Sequence, residues 1–317
     1  MKLFWRLSVM TIMSLTLFTA KICGAEQFRI GTWKTAETIQ PYFYQSFLPV
    51  GSICHITAFT NPMDQKTALL AGKLDMCGVS LPYAIYSASL GQPVVVVASM
   101  YSKGSALVIK KGISVRRISD LKGKKIGYSP GTMEEVLLKE ALKRHKLIPE
   151  KNVRLVRVDF FEMGNALAKG NIDAFLSGEP FPTLAVRNGY GHVLSYPYYD
   201  DSIGAINTVL IVTRQTLKQH PERVMALVKA HALATRYLTT HPDEWFQKAA
   251  SFGIALGAVR KSASNIELTW EIDPDFIESA KALGARMMAL KLIDRQPNYE
   301  RLFDLTCMKR VKQELVK

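Results

Sequence analysis

Cysteine is scarce in this 317-residue chain: Cys23, Cys54, Cys77 and Cys307 are the full set, with no Cys-x-x-Cys pair and no histidine at metal-ligand spacing. That excludes a disulfide-framed fold and the common zinc motifs, and past residue 25 at most one disulfide could form. A P-loop, a nucleophile elbow, an HExxH helix and a GxGxxG turn are all missing, so the chain is expected to be no enzyme, with no catalytic residue, metal or cofactor. Long apolar runs are absent as well. The longest, Leu7–Ala20, has 14 residues, short of the roughly 20 a membrane-spanning helix needs. Acidic residues are outnumbered, 27 against 41 Lys and Arg, for a net charge of +14. The basic residues are scattered in short loop runs such as Lys122-Gly-Lys124-Lys125, without interleaved aromatics. A solvated basic surface is therefore favoured over a nucleic-acid partner.

What is present at the N-terminus is an export pattern. Lys2 and Arg6 precede the apolar run, and Cys23-Gly-Ala25 ends it with small residues at the positions a signal peptidase reads. A leader over residues 1–25, cleaved near Ala25, is expected, leaving a periplasmic protein. Cleavage would remove Lys2, Arg6 and Lys21 and leave a mature chain of about +11.

Beyond the leader, short strand-like runs alternate with helical stretches, which predicts an α/β fold. "ALLAGKLD" at 68–75 returns as "ALAKGNID" at 166–173, a spacing of 98 residues. The same spacing carries Asp75, Pro82, Tyr83 and Gly91 onto Asp173, Pro180, Phe181 and Gly189. Helix, glycine stop, strand, proline turn and a second glycine-ended helix thus recur in register, which predicts two similarly built halves. After about residue 206 one more strand, "INTVLIVT", gives way to helices that do not repeat.

The phrases "ALLAGKLDMCGVS", "ISDLKGKKIGYSPGTMEEVLLKEAL", "ALAKGNIDAFLSGEPF" and "TVLIVTRQTLKQHPERVMALVKAHALA" resemble the soluble substrate-binding proteins of ABC importers. The resemblance is to the nitrate, sulfonate, taurine and thiamine-pyrimidine-precursor group and spans most of residues 26–305. It implies a two-lobed, periplasmic-binding-protein-like α/β fold of type II, with two crossover hinge strands and a ligand cleft between the lobes. Lobe one would take residues 26–108 and 206–317, lobe two 109–205, with hinges near Ala106–Gly112 and Tyr196–Asn207. It also implies a monomeric carrier that delivers a small organic solute, sulfonate- or taurine-like or thiamine-pyrimidine-like, to an ABC permease in the inner membrane. Two other readings stay open: a receptor passing ligand occupancy to a sensor kinase, and an enzyme of the pyrimidine-precursor branch. That branch uses a pyridoxal-phosphate-type cofactor and a cysteine-rich segment, and the segment is missing here.

Ligands of open α/β sheets sit beyond the carboxyl ends of strands, which places four loops in the cleft. They offer Trp33 and Lys34; Ser80 and Tyr83; Tyr128, Ser129, Gly131 and Thr132; and Glu179. Trp33 and Tyr128 could cover a flat group, and Lys34 could meet an anion. Ser129, Gly131 and Thr132 resemble the helix-start anion cradle of the group. Glu134, Glu135 and Glu179 favour instead an amine or aminopyrimidine, Glu179 serving either a ligand or a lobe-closing ion pair. Nitrate is the less favoured ligand. Asp75 and Asp173, inside their strand phrases, are expected to be structural.

Overall fold

In the computed structural model, which describes residues 25–197, 203 and 205–316, the two copies of the repeated phrase lie in two different sheets. The leader expected at 1–25 falls almost wholly outside the described residues. The first sheet contains β1 (Gln27–Thr32), β2 (Ile53–Ala58), β3 (Met76–Ser80), β4 (Val94–Lys103), β10 (Ile206–Thr213) and β11 (Ile266–Leu268), in the order β11-β4-β10-β3-β1-β2. The second contains β5 (Ser105–Lys110), β6 (Lys125–Tyr128), β7 (Arg154–Arg157), β8 (Ala174–Gly178) and β9 (Gly191–Ser195), in the order β7-β6-β8-β5-β9.

The sheets share one plan. β2, β1 and β3 run parallel with β10 antiparallel beside β3; β7, β6 and β8 run parallel with β5 antiparallel beside β8. Gly31 pairs with Cys77 in one and Gly127 with Phe175 in the other. A Cβ on Gly31 would lie 2.6 Å from Leu74, and one on Gly127 2.7 Å from Ile172. Only glycine admits so close an approach, so the aliphatic residue before each repeated aspartate explains its glycine. The aspartates match as well. Asp75 accepts the backbone amide of Arg29 at 2.8 Å, and Asp173 that of Lys125 at 2.8 Å. Each carboxylate ties its own strand to the neighbouring one, the structural task expected of it.

The chain passes from the first sheet to the second at Lys103–Ser105 and returns between β9 and β10. β5 and β10 therefore hold the same place, each being the first strand after a crossing. Val94–Val97 of β4 are fully buried, as an uninterrupted valine run in a doubly covered strand should be. The helix Pro221–Thr240 buries Val224, Leu227, Val228, Ala230, His231, Ala232, Ala234, Thr235 and Leu238, a broad apolar face packed against Gln40–Ser46 and the helix Thr306–Val316. His231 belongs to that face. Its ring bridges the Tyr44 hydroxyl and the Ser99 carbonyl at 2.8 Å each, and burial pushes its pKa down to about 4. It is a neutral structural group.

Gln40–Ser46 forms a 3-10 helix with proline in its first turn and no side-chain cap. β9 and β11 carry no strong apolar alternation and become strands by pairing onto β5 and β4. Cys54, Cys77 and Cys307 are free thiols, and among the described residues no helix is long and apolar enough to cross a membrane.

Candidate functional site

Beyond the carboxyl ends of β1 and β3 the chain is fastened before it reaches the seam between the sheets. The loop Trp33–Ile39 is held by the Thr38 hydroxyl on the Trp33 carbonyl (3.1 Å), the Tyr42 hydroxyl on the same carbonyl (3.2 Å) and the Thr32 hydroxyl on the Thr38 carbonyl (3.0 Å). From the far side the indole of Trp245 donates to the Ala36 carbonyl at 2.7 Å. These bonds fix Glu37 over the first crossing. A Cβ on Gly104 would lie 2.5 Å from Glu37 Oε1, and one on Gly178 3.0 Å. Glycines at the crossing and at the end of β8 make the space this carboxyl fills.

Glu37 lines a narrow cavity of about 20 Å³ with Trp33, Thr60, Ser80, Tyr101, Thr132, Glu134, Phe160, Phe161 and Asn207. Both sheets contribute to it. Three carboxyls are buried around this seam, Glu37, Glu134 and Glu179, each 3% exposed or less. Glu134 Oε1 accepts the Ser105 hydroxyl at 2.5 Å. Glu179 accepts the Thr183 amide at 3.3 Å and the Asn265 side-chain amide at 3.4 Å, while its own backbone amide donates to the Gly104 carbonyl at 2.7 Å. Glu37 Oε1 has no hydrogen-bond partner. Burial, and then the charges of Glu134 and Glu179, hold Glu37 well above the usual carboxylate range. Burial also pushes Glu179 up to about 7, against hydrogen bonds from Thr183 and Asn265. Phe160, Phe161 and Phe181 meet edge-to-face at centroid distances of 5.0–5.8 Å, and the first two wall the cavity.

Of the residues expected in the cleft, Trp33, Ser80 and Thr132 line this cavity. Glu179 lies buried at the crossing behind it. Tyr83, Gly131 and Thr132 line an adjoining apolar pocket with Pro82, Tyr86 and Met287, where Lys66 sits 4.6 Å above the Tyr83 ring. Ser129 borders a third recess beside Asn61 and Asp159. Tyr128 is half-buried with Lys139 5.7 Å above its ring, and Lys34 is exposed; neither lines these three cavities. Glu37, Tyr101, Phe160, Phe161 and Asn207 join the site from stretches with no local signal for it.

The helix start at Met133 is already occupied. The Gly131 amide donates to Glu135 at 2.7 Å, the Met133 amide to the Ser80 hydroxyl at 2.9 Å, and the Glu135 amide to the Thr132 hydroxyl at 3.3 Å. Three of the amides that an anion would use are thus spent on the protein's own side chains, Thr132 capping the Glu135 amide while Glu135 reaches past the cap to Gly131. Among the described residues no cluster of three metal-ligating side chains forms.

Two three-stranded parallel sheets extended by exchanged antiparallel strands, closing on a polar seam, define a two-lobed periplasmic-binding-protein fold. The chain superposes on the ligand-binding component of an ABC-type import system from Staphylococcus aureus with a TM-score of 0.80 at 18% identity, covering 90% of this chain and 99% of that one. On the periplasmic nitrate-binding protein NrtA from Synechocystis the TM-score is 0.77 at 13% identity, covering 92% and 89%. In sequence it is 30% identical over 193 residues to a putative thiamine biosynthesis protein of Haemophilus influenzae. It spans somewhat over half the length of the curated relatives it matches, 58% in that case. Residues 42–245 match the NMT1/THI5-like family, and the chain belongs to that family.

Proposed function

We propose that the protein is the exported solute-capturing component of an ABC importer, a non-enzymatic monomer that closes two lobes on a small organic molecule and presents it to an inner-membrane permease. Lobe one would comprise residues 26–108 and 206–317 and lobe two 109–205, with hinges near Ala106–Gly112 and Tyr196–Asn207, beside the points where the chain crosses between the sheets. The ligand would be sulfonate- or taurine-like, or thiamine-pyrimidine-like. The reading rests on one observation above the rest: a narrow, largely apolar cavity with buried carboxyls at its edge, walled by residues of both sheets, Ser80 and Glu37 from one side and Glu134 and Phe160 from the other. Such a seam binds by lobe closure, because a ligand that touches both walls favours the closed arrangement by its differential contacts.

An import-system ligand-binding component among the structural neighbours and a putative thiamine biosynthesis protein among the relatives support this reading. The test is to express the full chain with its leader in a Gram-negative host, recover it from the periplasm, determine its N-terminus, and identify by mass spectrometry any small molecule released on denaturation. X-ray scattering with and without that molecule should show contraction on binding. A chain that keeps its leader in the cytoplasm, or that neither retains nor contracts on a solute, would rule the carrier role out.

A further inference from the structure

We infer that the Glu37–Glu134 carboxyl pair is a subsite for an organic cation, a primary ammonium or amidinium on a flat or apolar body, and that this cation is the counter-charge on which the lobes close. The inference rests on the carrier reading above and narrows its ligand.

Glu37 comes from the loop after β1, whereas Glu134 comes from the helix Met133–Arg144 that follows β6. They therefore approach the seam from opposite lobes, and Glu179 reaches it from the end of β8. Like charges brought together out of water repel unless a cation or a proton intervenes. Glu134 has one short bond from Ser105, and Glu179 has amide donors. Glu37 is different: its Oε1 is buried at the cavity with no hydrogen-bond partner, although the Tyr101 hydroxyl and the Glu179 backbone amide act on the same carboxyl group. A buried acceptor without a donor costs roughly 1–3 kcal/mol, a cost that a ligand N–H removes. The flanking walls are Phe160, Phe161, Trp33 and Tyr101, π faces that attract a cation and cover a flat ring. Anion recognition is disfavoured at the same seam, since the neighbouring helix-start amides are engaged by Glu135, Ser80 and Thr132.

The experiment uses the full mature chain and four probes at matched ionic strength: benzamidinium, benzylammonium, benzenesulfonate and nitrate. Calorimetry should give binding of the two cations and none of the two anions, and scattering should show contraction with the cations alone. Glu37→Gln and Glu134→Gln should each weaken cation binding by roughly thirtyfold, the scale of losing one partner of a buried charge pair. Glu300→Gln, on an exposed helix far in sequence from the seam, should leave it unchanged. Circular dichroism establishes that the variants fold, and one folded variant of the two suffices. Binding of benzenesulfonate or nitrate in place of the cations would overturn the cation subsite while leaving the carrier reading intact. Equal binding of cations by wild type and the folded variants, or no binding of either cation, would overturn it too. The solute retained through purification judges the carrier reading separately.

Discussion

The Ser80 hydroxyl accepts a hydrogen bond from the Met133 backbone amide at 2.9 Å, 53 residues along the chain and across the seam. Ser80 ends β3 of the first sheet, and Met133 opens the helix that follows β6 of the second. One lobe thus caps a helix of the other. Arg286 and Glu140, 2.8 Å apart, add a second contact between the C-terminal helices and the same helix. If the lobes open as the carrier reading proposes, both contacts would break on opening, and both would then bias the molecule toward closure.

Replacing Ser80 with alanine therefore separates closure from folding. A buried hydrogen bond of this kind contributes about 1 kcal/mol, so Ser80→Ala should weaken ligand binding about fivefold through loss of the closed form. The urea midpoint should move little, because a single hydrogen bond is small beside a hydrophobic core that runs through both sheets. Scattering without ligand should report a larger radius of gyration than for wild type. An unchanged radius together with unchanged affinity would show that the bond is incidental.

The repeated aspartates predict unequal costs from equal positions. Asp75 serves the Arg29 amide, the Arg29 guanidinium at 2.8 Å and Arg223 at 2.9 Å. Burial works upward on its pKa, but the bonds from Arg29 and Arg223 more than offset it and hold the group below its ordinary value. Asp173 serves the Lys125 amide. Breaking a buried ion pair costs 3–5 kcal/mol, and because Arg29 is partly exposed the lower end applies. Asp75→Ala should lose about 3 kcal/mol in urea unfolding, and Asp173→Ala about 1 kcal/mol, the worth of one hydrogen bond. Similar losses at both sites would mean that the ion pairs with Arg29 and Arg223 add nothing at Asp75.

Much of this fold was legible in the chain itself. The 98-residue spacing, the glycine stops and the Thr132–Glu135 cap are local patterns, and local patterns fixed β3, β8 and the helices around them. Trp33, Ser80 and Thr132 were equally accessible, since each stands at a strand end or helix start. Glu37 was not. It lies five residues beyond β1, in a loop whose path depends on Trp245, more than 200 residues away. Phe160 and Phe161 look like ordinary core residues until the second sheet turns them toward the first. Long-range convergence of this kind leaves no mark in a short window. For the same reason the helix start at Met133 resembles an anion site in sequence, although Ser80 of the other lobe fills one of its amides.

Glu179 gives the molecule a pH dependence of predictable sign. Its pKa rises from 4.5 to about 7 on folding, so between those values the folded state holds a proton that the unfolded state has lost. Stability from this group is complete below about pH 4.5 and declines as pH rises through 7. A shift of that size corresponds to about 3 kcal/mol. The groups facing it are Glu37, Thr183, Asn265 and Lys261. Glu179→Gln should match wild type near pH 4.5 and exceed it by up to about 3 kcal/mol at pH 8, measured as the difference between the two urea-unfolding profiles. A constant difference across that range would show that Glu179 ionises normally.

Gly104 joins the first crossing between the sheets to the carboxyl seam. Its φ of +92° is a left-handed conformation, and a Cβ there would stand 2.5 Å from Glu37 Oε1 and 3.4 Å from the Tyr101 ring. Its amide donates to the Asn265 carbonyl at 2.7 Å, and its carbonyl accepts the Glu179 amide at 2.7 Å. Gly104→Ala thus imposes backbone strain of about 1–3 kcal/mol and pushes the Glu37 carboxyl from its place. Affinity should fall by more than the loss in stability accounts for, since the displaced group lines the cavity. Gly112→Ala supplies the control: its φ of +85° carries similar strain, but nothing lies within 4 Å of the added methyl. The control should lose stability to a similar extent and bind as wild type does. If both variants bind equally well, Glu37 is not held for the ligand by the geometry of the crossing.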